Sequence, residues 1–448
     1  MNKKPLKLLR YNTGNDKKAF VKFKKNFDAV IFNATIVAYS GSSIADLISV
    51  HKNQYIIDPQ THIFQHSINA ILNKEKTDIK KSVRKYLDEL PESLCEILKE
   101  NKTLSIFDVQ NMIDELVNSV YSFQKKYVNG FLKKKEYDKY LKYVGINDLS
   151  PRFFIAPYFM LKKDYTDSEI HSWMEINKEC YKKTKSRVEP SETVATQIVI
   201  EKELLVNPKF FEEIELMFND LAGVYTFLWI DDFDSFEANA KFNDGYLKLL
   251  QLFSELNVYP IMAYGGYESI LLCNKNIAHR LYGVAQSVGY GESRQITPVG
   301  GGLPVNKYYF LPLHRRLKFS EAADILRSNY YFDQSVSNAQ HAMDYYAHIC
   351  HCKQCREVIK KDIDNFDDYN DSVPFSYQGK NSVISRNRPT TYASFISAIH
   401  FLYCKVEEWQ NVQNMSKDEL KKQLIESYNE YLPNQVPSIE EWCNRYVN

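Results

Sequence analysis

Apolar residues in this chain gather into short runs rich in β-branched and aromatic types, separated by stretches of helical period. The runs fall at 29–38, 54–57, 153–159, 196–200, 224–230, 258–263, 283–288, 308–311 and 330–332. Strands alternating with helices imply βαβ units and a parallel sheet. From residue 196 onward the runs are nearly continuous, as in strands buried on both faces. The pattern predicts an α/β fold, a (β/α)8 TIM-like barrel, with an open doubly wound sheet as the alternative. Nine candidate strands exceed the eight a barrel needs, so one early run is a capping strand or no strand.

Between 57 and 153 the chain is highly charged, yet Leu87, Leu94, Ile97, Leu98, Ile113, Leu116, Val117 and Val120 recur at helical spacing. This reads as a helical N-terminal insertion. The expected organisation is barrel strands in 1–65, the insertion in 66–150, the remaining barrel in 151–335, and a C-terminal zinc-binding subdomain in 336–448.

With 448 residues, 44% of them hydrophobic, the chain can bury a large core, which excludes a disordered protein. Lys and Arg total 57 against 56 Asp and Glu, so any nucleic-acid surface must be a local patch. Lys125-Lys126-Tyr127 and 133–140 interleave cations with tyrosines, which suits phosphate contact and base stacking, or a solvated helix face. Lys182, Lys183, Lys185 and Arg187 carry the same ambiguity. A lysine-rich start without an apolar core, and no long apolar run, lead us to expect a cytoplasmic protein with no membrane contact. Cys95, Cys180, Cys273, Cys404 and Cys443 are scattered singly, as free thiols are.

The other three cysteines are not scattered. Cys350-His351-Cys352-Lys353-Gln354-Cys355 packs three thiols into six residues, and His400 follows in a helical-looking segment. Three Cys and one His make a closed tetrahedral site for a structural Zn2+, leaving no open position for an activated water. The alternative is ordinary buried thiols. His351, squeezed between two cysteines, needs an awkward backbone to face the same ion.

In a barrel, chemistry collects where strands end, so carboxylates closing apolar runs are the candidates. Asp58 ends one run, Asp231, Asp232 and Asp234 another, a turn around Gly291 a third, and Asp333 the last. Each has a plainer reading. Asp333 suits a helix N-cap, and the aspartate run suits a solvated turn or a magnesium site. Gly265-Gly266 is a tight turn or a close approach for a flat ligand. Gly300-Gly301-Gly302 lacks the lysine of a phosphate-binding loop and reads as a flexible loop.

Phe332-Asp333-Gln334-Ser335, the Cys-x-Cys-x-x-Cys run, and Ile399-His400-Phe401-Leu402 with Glu407-Glu408 resemble the tRNA-guanine transglycosylase superfamily. That superfamily includes queuine, archaeosine and DNA 7-deazaguanine-inserting branches. The resemblance covers about 220–410 and implies Asp333 as nucleophile and Cys350, Cys352, Cys355 and His400 as zinc ligands. It implies base binding by Asp231 or Asp232, by Gly265 and Gly266, and by the turn at Gly291. Departures are an early Asp-Ser-Gly motif replaced by 58–65, which gives Asp58 the general acid/base role only by hypothesis, and a long gap between Cys355 and His400.

The implied reaction is exchange of guanine in tRNA or DNA for a purine or 7-deazapurine base through a covalent aspartyl intermediate. The base must be unstacked to reach the pocket. The competing expectations are a non-catalytic relative that binds nucleic acid or serves as a partner subunit, and a metal-dependent nuclease built on the aspartate run. A protein partner or a homodimer is left open.

Overall fold

A computed structural model describes residues 3–11, 16–51, 54–73, 76–100, 102–127, 139, 143, 150–288, 294, 296, 307–378 and 382–447. The chain divides into two compact units. The first comprises 1–12, 24–265 and 278–300; the second comprises 13–23, 266–277 and 301–448.

The first unit is a closed parallel barrel. Its strands are β1 (Leu6–Tyr11), β2 (Ala29–Asn33), β3 (Tyr55–Asp58), β4 (Phe154–Ile155), β5 (Met160–Leu161), β6 (Val194–Ile200), β7 (Tyr225–Ile230), β8 (Tyr259–Met262) and β9 (Gly283–Ser287). They run β4-β3-β2-β1-β9-β8-β7-β6, and β4 pairs with β6 to close the ring. β4 and β5 are halves of one stave, aligned with the start and the end of β6. Pro157 lies between them and has no N–H to offer a ladder. Eight staves result, the expected (β/α)8 arrangement.

Seven of those staves overlap the apolar runs, β3, β5 and β6 reaching a little beyond them. The eighth, β1, was hidden by the lysines around it, although Leu6 and Leu8 join the core inside the barrel and Arg10 follows at the same period of two. Two late runs were over-read. Residues 308–311 do hold a strand, β10 (Lys307–Phe310), but it pairs antiparallel with β11 (Arg315–Lys318) in the second unit. Residues 330–332 are a turn: Tyr330 sits at φ 67°, just after the helix Phe319–Ser328 ends. Aromatic residues that cap a helix and aromatic residues in a strand give the same local pattern. The barrel unit therefore stops near residue 300, and 301–335, expected to complete the barrel, belongs to the second unit.

Crossover helices follow the strands: Ala34–His51 after β2, Asp167–Arg187 after β5, Pro208–Phe218 after β6 and Ala240–Glu255 after β7. Between β3 and β4 the described residues form helices Lys81–Leu87, Glu92–Lys99 and Ile106–Ser122. Ile106–Ser122 and Asp167–Arg187 start at reciprocal capping boxes, Ser105 with Asp108 and Thr166 with Glu169. Gly245 is required where its helix meets the turn Lys202–Val206, because a Cβ there would strike the backbone carbonyl of Leu205.

The second unit is mostly helical, with Asn338–His348, Lys353–Ile359, Thr391–Asn414, Lys417–Tyr431 and Val436–Tyr446. It also carries a second hairpin, β12 (Ser372–Gln378) with β13 (Val383–Pro389). Among the described residues no helix is long and apolar enough to cross a membrane.

Candidate active site and metal centre

The lower interior of the barrel is apolar, filled by Leu8, Ile31, Ile56, Ala195 and Phe227 among others. Polarity arrives at the carboxyl ends of the strands, where barrel chemistry sits. Asn33 pairs in register with Asp58, and Arg10 with Ser287. Arg10 donates from Nη1 to Asp58 Oδ2 at 2.9 Å and from Nε to the Ala263 carbonyl at 2.7 Å. Tyr158, in the gap between β4 and β5, donates its hydroxyl to Asp58 Oδ1 at 2.6 Å. Asp58 is thus a buried carboxylate held by one cation, one phenol and the Gln60 amide, which donates to Oδ1 at 3.2 Å.

Flat aromatic faces surround this pair. The Arg10 guanidinium lies over the Tyr264 ring at 4.3 Å. His62 stacks on Tyr158 at 5.2 Å and meets Trp229 edge-on at 5.3 Å. Arg294 donates to the Tyr264 hydroxyl at 2.7 Å, and its carbonyl accepts from Trp229 Nε1 at 3.0 Å.

Several buried polar atoms here have no hydrogen-bond partner among the described residues: Arg10 Nη2, both ring nitrogens of His62, and both amide atoms of Gln197. Gln197 on β6 alternates with Ala195 and Val199 of the barrel core, so it faces inward. A buried polar atom left unsatisfied costs about 1–3 kcal/mol, so these three side chains call for further polar partners, which ordered water or a ligand can supply. Burial, with His66 and the cations Arg294 and Arg10 as neighbours, holds the His62 pKa well below the usual imidazole range.

The aspartate run resolves into different roles. Asp231 is half-buried, keeps the inward period of Phe227 and Trp229, and accepts from the Ile296 amide at 2.6 Å. Burial pushes its pKa up despite that bond. Asp232 is exposed, at φ 44°, and Asp234 closes a local turn onto the Phe236 amide. Gly265 donates to the Ala285 carbonyl at 3.3 Å; Gly266 opens the second unit and caps the helix Tyr267–Leu271. Gly291, expected in the base pocket, lies outside the described residues, as does most of 133–140.

Asp333 does not close a barrel strand, the position expected of it. It sits exposed in the second unit, in the turn after Phe319–Ser328, with Oδ1 accepting from the Ser335 amide at 2.8 Å. That amide bond lowers its pKa. It is not the helix N-cap of the plainer reading either: it closes a turn, and Ser337 caps the helix Asn338–His348 that follows.

Four described cations of the basic clusters are ion-paired. Lys125 pairs with Glu189 and Glu192, Lys183 and Arg187 with Asp114, and Lys182 with Asp220. These four tie neighbouring segments of the first unit together.

The cysteine cluster forms as expected. Ligand atoms of Cys350, Cys352, Cys355 and His400, all buried, lie within 4.8 Å of one another, and this is the one such group of three or more among the described residues. Cys352 caps the helix Lys353–Ile359 and its sulfur accepts from the Cys355 amide, so the Cys-x-x-Cys spacing curls both thiols to one side. His400 projects from Thr391–Asn414 and bonds through Nε2 to the Tyr309 carbonyl at 2.7 Å. That fixes the tautomer and frees Nδ1 for an ion.

Nδ1 lies 3.9, 3.4 and 3.2 Å from the sulfurs of Cys350, Cys352 and Cys355. Metal–ligand bonds near 2.3 Å to sulfur and 2.0 Å to nitrogen give a tetrahedral edge of about 3.5 Å. The four side chains therefore fit a four-coordinate soft metal ion. Tyr345 and Tyr369 place hydroxyls 3.2 and 3.5 Å from Cys355 Sγ. Cys404, taken from the sequence as a scattered thiol, is one helical turn beyond His400, with Sγ 3.7 Å from Nδ1 and 3.9 Å from Cys350 Sγ. The i, i+4 spacing of His400 and Cys404 was the available signal. Glu408 serves a separate buried network, with Tyr309, His314 and Lys405.

A scan against protein-family models found no match, and a comparison with curated proteins found none. Among solved structures the chain is similar to xylanase B from Clostridium stercorarium F9, at 8% identity and a TM-score of 0.37, covering 64% of this chain and 86% of that one. A likeness so slight carries no argument about function.

Proposed function

We propose that the barrel mouth is the active site of a glycosyl-transfer enzyme that exchanges a guanine-type base in nucleic acid for a purine or 7-deazapurine. The observation that carries this reading is Asp58: an ion-paired carboxylate set among flat aromatic faces and buried, unpartnered polar atoms. Tyr158, His62, Trp229 and Tyr264 supply flat faces of the kind that suits a planar base, and Gln197, His62 and Arg10 Nη2 offer donors and acceptors to its edge.

The nucleophile role then passes from Asp333 to Asp58. Its carboxylate attacks C1′ as the bond to the base nitrogen breaks; the bonding electrons leave with the base, which takes a proton from Asp231. The incoming base attacks the same C1′, returns its proton to Asp231 and releases Asp58. Asp231 suits that exchange because burial already favours its protonated form. The buried Cys3His group holds a zinc ion as a closed structural site.

The test is incubation of the protein with tRNA and, separately, duplex DNA plus radiolabelled guanine, counting label in the polymer. Label should enter with wild type and with Asp333→Ala, and vanish with Asp58→Asn. Loss with Asp333→Ala and retention with Asp58→Asn would return the nucleophile to Asp333. No label in either polymer, from metal-replete protein, would favour the non-catalytic nucleic-acid-binding relative.

A further inference from the structure

The long gap between Cys355 and His400 is filled partly by the ribbon β12–β13. Both of its strands are solvated on both faces; Phe375, Ile384 and Pro389 are its half-buried members among the described side chains. A lone two-stranded ribbon is marginal by itself, and its edges are a liability that charged side chains and prolines, such as Arg386, Arg388, Pro374 and Pro389 here, help to blunt.

Its base is nevertheless firmly mounted. The Thr390 amide bonds to the Asp371 carbonyl at 3.0 Å, closing the ribbon, and Thr390 Oγ1 caps the helix that carries His400. The metal ligands Cys355 and His400 thus bracket the segment on both sides.

The two faces differ. Register places Arg388 opposite Val373 and Arg386 opposite Phe375 on one face; Ser376 opposite Ser385 and Pro374 opposite Asn387 make the other uncharged. Both arginines are exposed, and Arg388 lies over the Phe375 ring at 4.9 Å. No acidic residue occurs between Asp371 and Glu407. Unlike the lysine clusters on the barrel helices, these cations face solvent without a carboxylate beside them in sequence. Two residues apart on one strand, they stand about 7 Å from each other, a spacing that lets each take a separate phosphate.

We infer that the Arg386–Arg388 face of the β12–β13 ribbon is a docking surface for double-stranded DNA. A two-stranded ribbon fits the B-form major groove, whereas the deep, narrow major groove of A-form RNA does not admit it. Arg–phosphate contacts, with Phe375 and Val373 as apolar neighbours, would give salt-dependent and largely sequence-tolerant binding. The inference rests on the nucleic-acid reading above and narrows its polymer to DNA.

The experiment compares wild type with Arg386→Ala/Arg388→Ala, as full chains, by fluorescence anisotropy on a labelled DNA duplex and on tRNA from low to moderate salt. Metal content is measured alongside to show that the second unit is intact. The expected result is duplex binding at least tenfold weaker in the variant, with the slope of log affinity against log salt smaller by about 2, one unit per lost phosphate contact. Equal binding by both proteins, binding of tRNA alone, or no binding of duplex by wild type would overturn it. Base exchange is measured separately: duplex binding that depends on the arginines without any exchange sinks the proposed activity and leaves the docking surface standing.

Discussion

Arg10 on β1 reaches past β2 to Asp58 on β3, a 2.9 Å ion pair in which both side chains are shut off from solvent. Such a pair gains from mutual attraction but has lost two hydration shells, so its net worth to folding is small. Removing one member is different, because the other charge stays buried alone. Arg10→Ala should cost about 3–5 kcal/mol in urea unfolding. Arg10→Met/Asp58→Leu, which removes both charges at similar volume, should recover most of that loss. A double variant as unstable as Arg10→Ala would show that the packing of Arg10 over Tyr264, rather than the charge, is what matters.

The metal centre makes a prediction that separates four ligands from five. His400→Ala and Cys352→Ser should each lower bound zinc from one ion per chain and reduce the thermal stability of the second unit, as prolonged chelation should in wild type. Cys404→Ser should keep a full ion, because the close group is complete without it. Loss of metal in Cys404→Ser, measured by elemental analysis, would make Cys404 a ligand in place of one of the other thiols.

These two sites were unequally legible in the sequence. The cysteines and His400 announced themselves because a metal site needs particular residues at short spacings, and spacing survives without any knowledge of the fold. Asp58 was visible as a carboxylate closing an apolar run. Its surroundings were not: Arg10 is one more cation in a lysine-rich start, Tyr158 lies inside an apolar run, and His62 sits in the segment that replaces the early Asp-Ser-Gly motif. Their meaning depends on β1 and β3 sharing one sheet with β2 between them, a long-range fact that no local pattern holds. Asp333 misled for the opposite reason. The local pattern of Tyr331-Phe332-Asp333 suits a barrel strand, but the left-handed Tyr330 ends a helix there, and the ring closes without it.

Acid should weaken the fold through two histidines. Burial lowers the His62 pKa far below its ordinary value, and burial with Lys162 lowers that of His66 to about 4. A group whose folded pKa is depressed contributes stability that is present above its unfolded pKa, about 6.5, and is lost as pH falls toward the folded pKa. Urea midpoints should therefore decline between pH 6.5 and 4, and His62→Gln or His66→Gln should flatten the decline. Curves that stay parallel to wild type would mean that neither ring is held neutral.

Asp231 gives the reverse sign. Its folded pKa is raised, chiefly by burial, so the native state holds its proton more tightly than the unfolded chain does. The stability this brings is present below the unfolded aspartate value, about 3.9, and is lost as pH rises through the folded pKa. Asp231→Asn keeps an oxygen for the Ile296 amide and removes the charge. It should unfold later than wild type at pH 7, with the advantage shrinking toward pH 3. If Asp231 is the proton carrier, the same substitution should leave nucleic-acid binding intact while base exchange falls at least a hundredfold, the scale of a lost general acid. A variant that exchanges normally would remove Asp231 from the chemistry; one that gains no stability at pH 7 would show that its carboxylate is better solvated than its half-buried position implies.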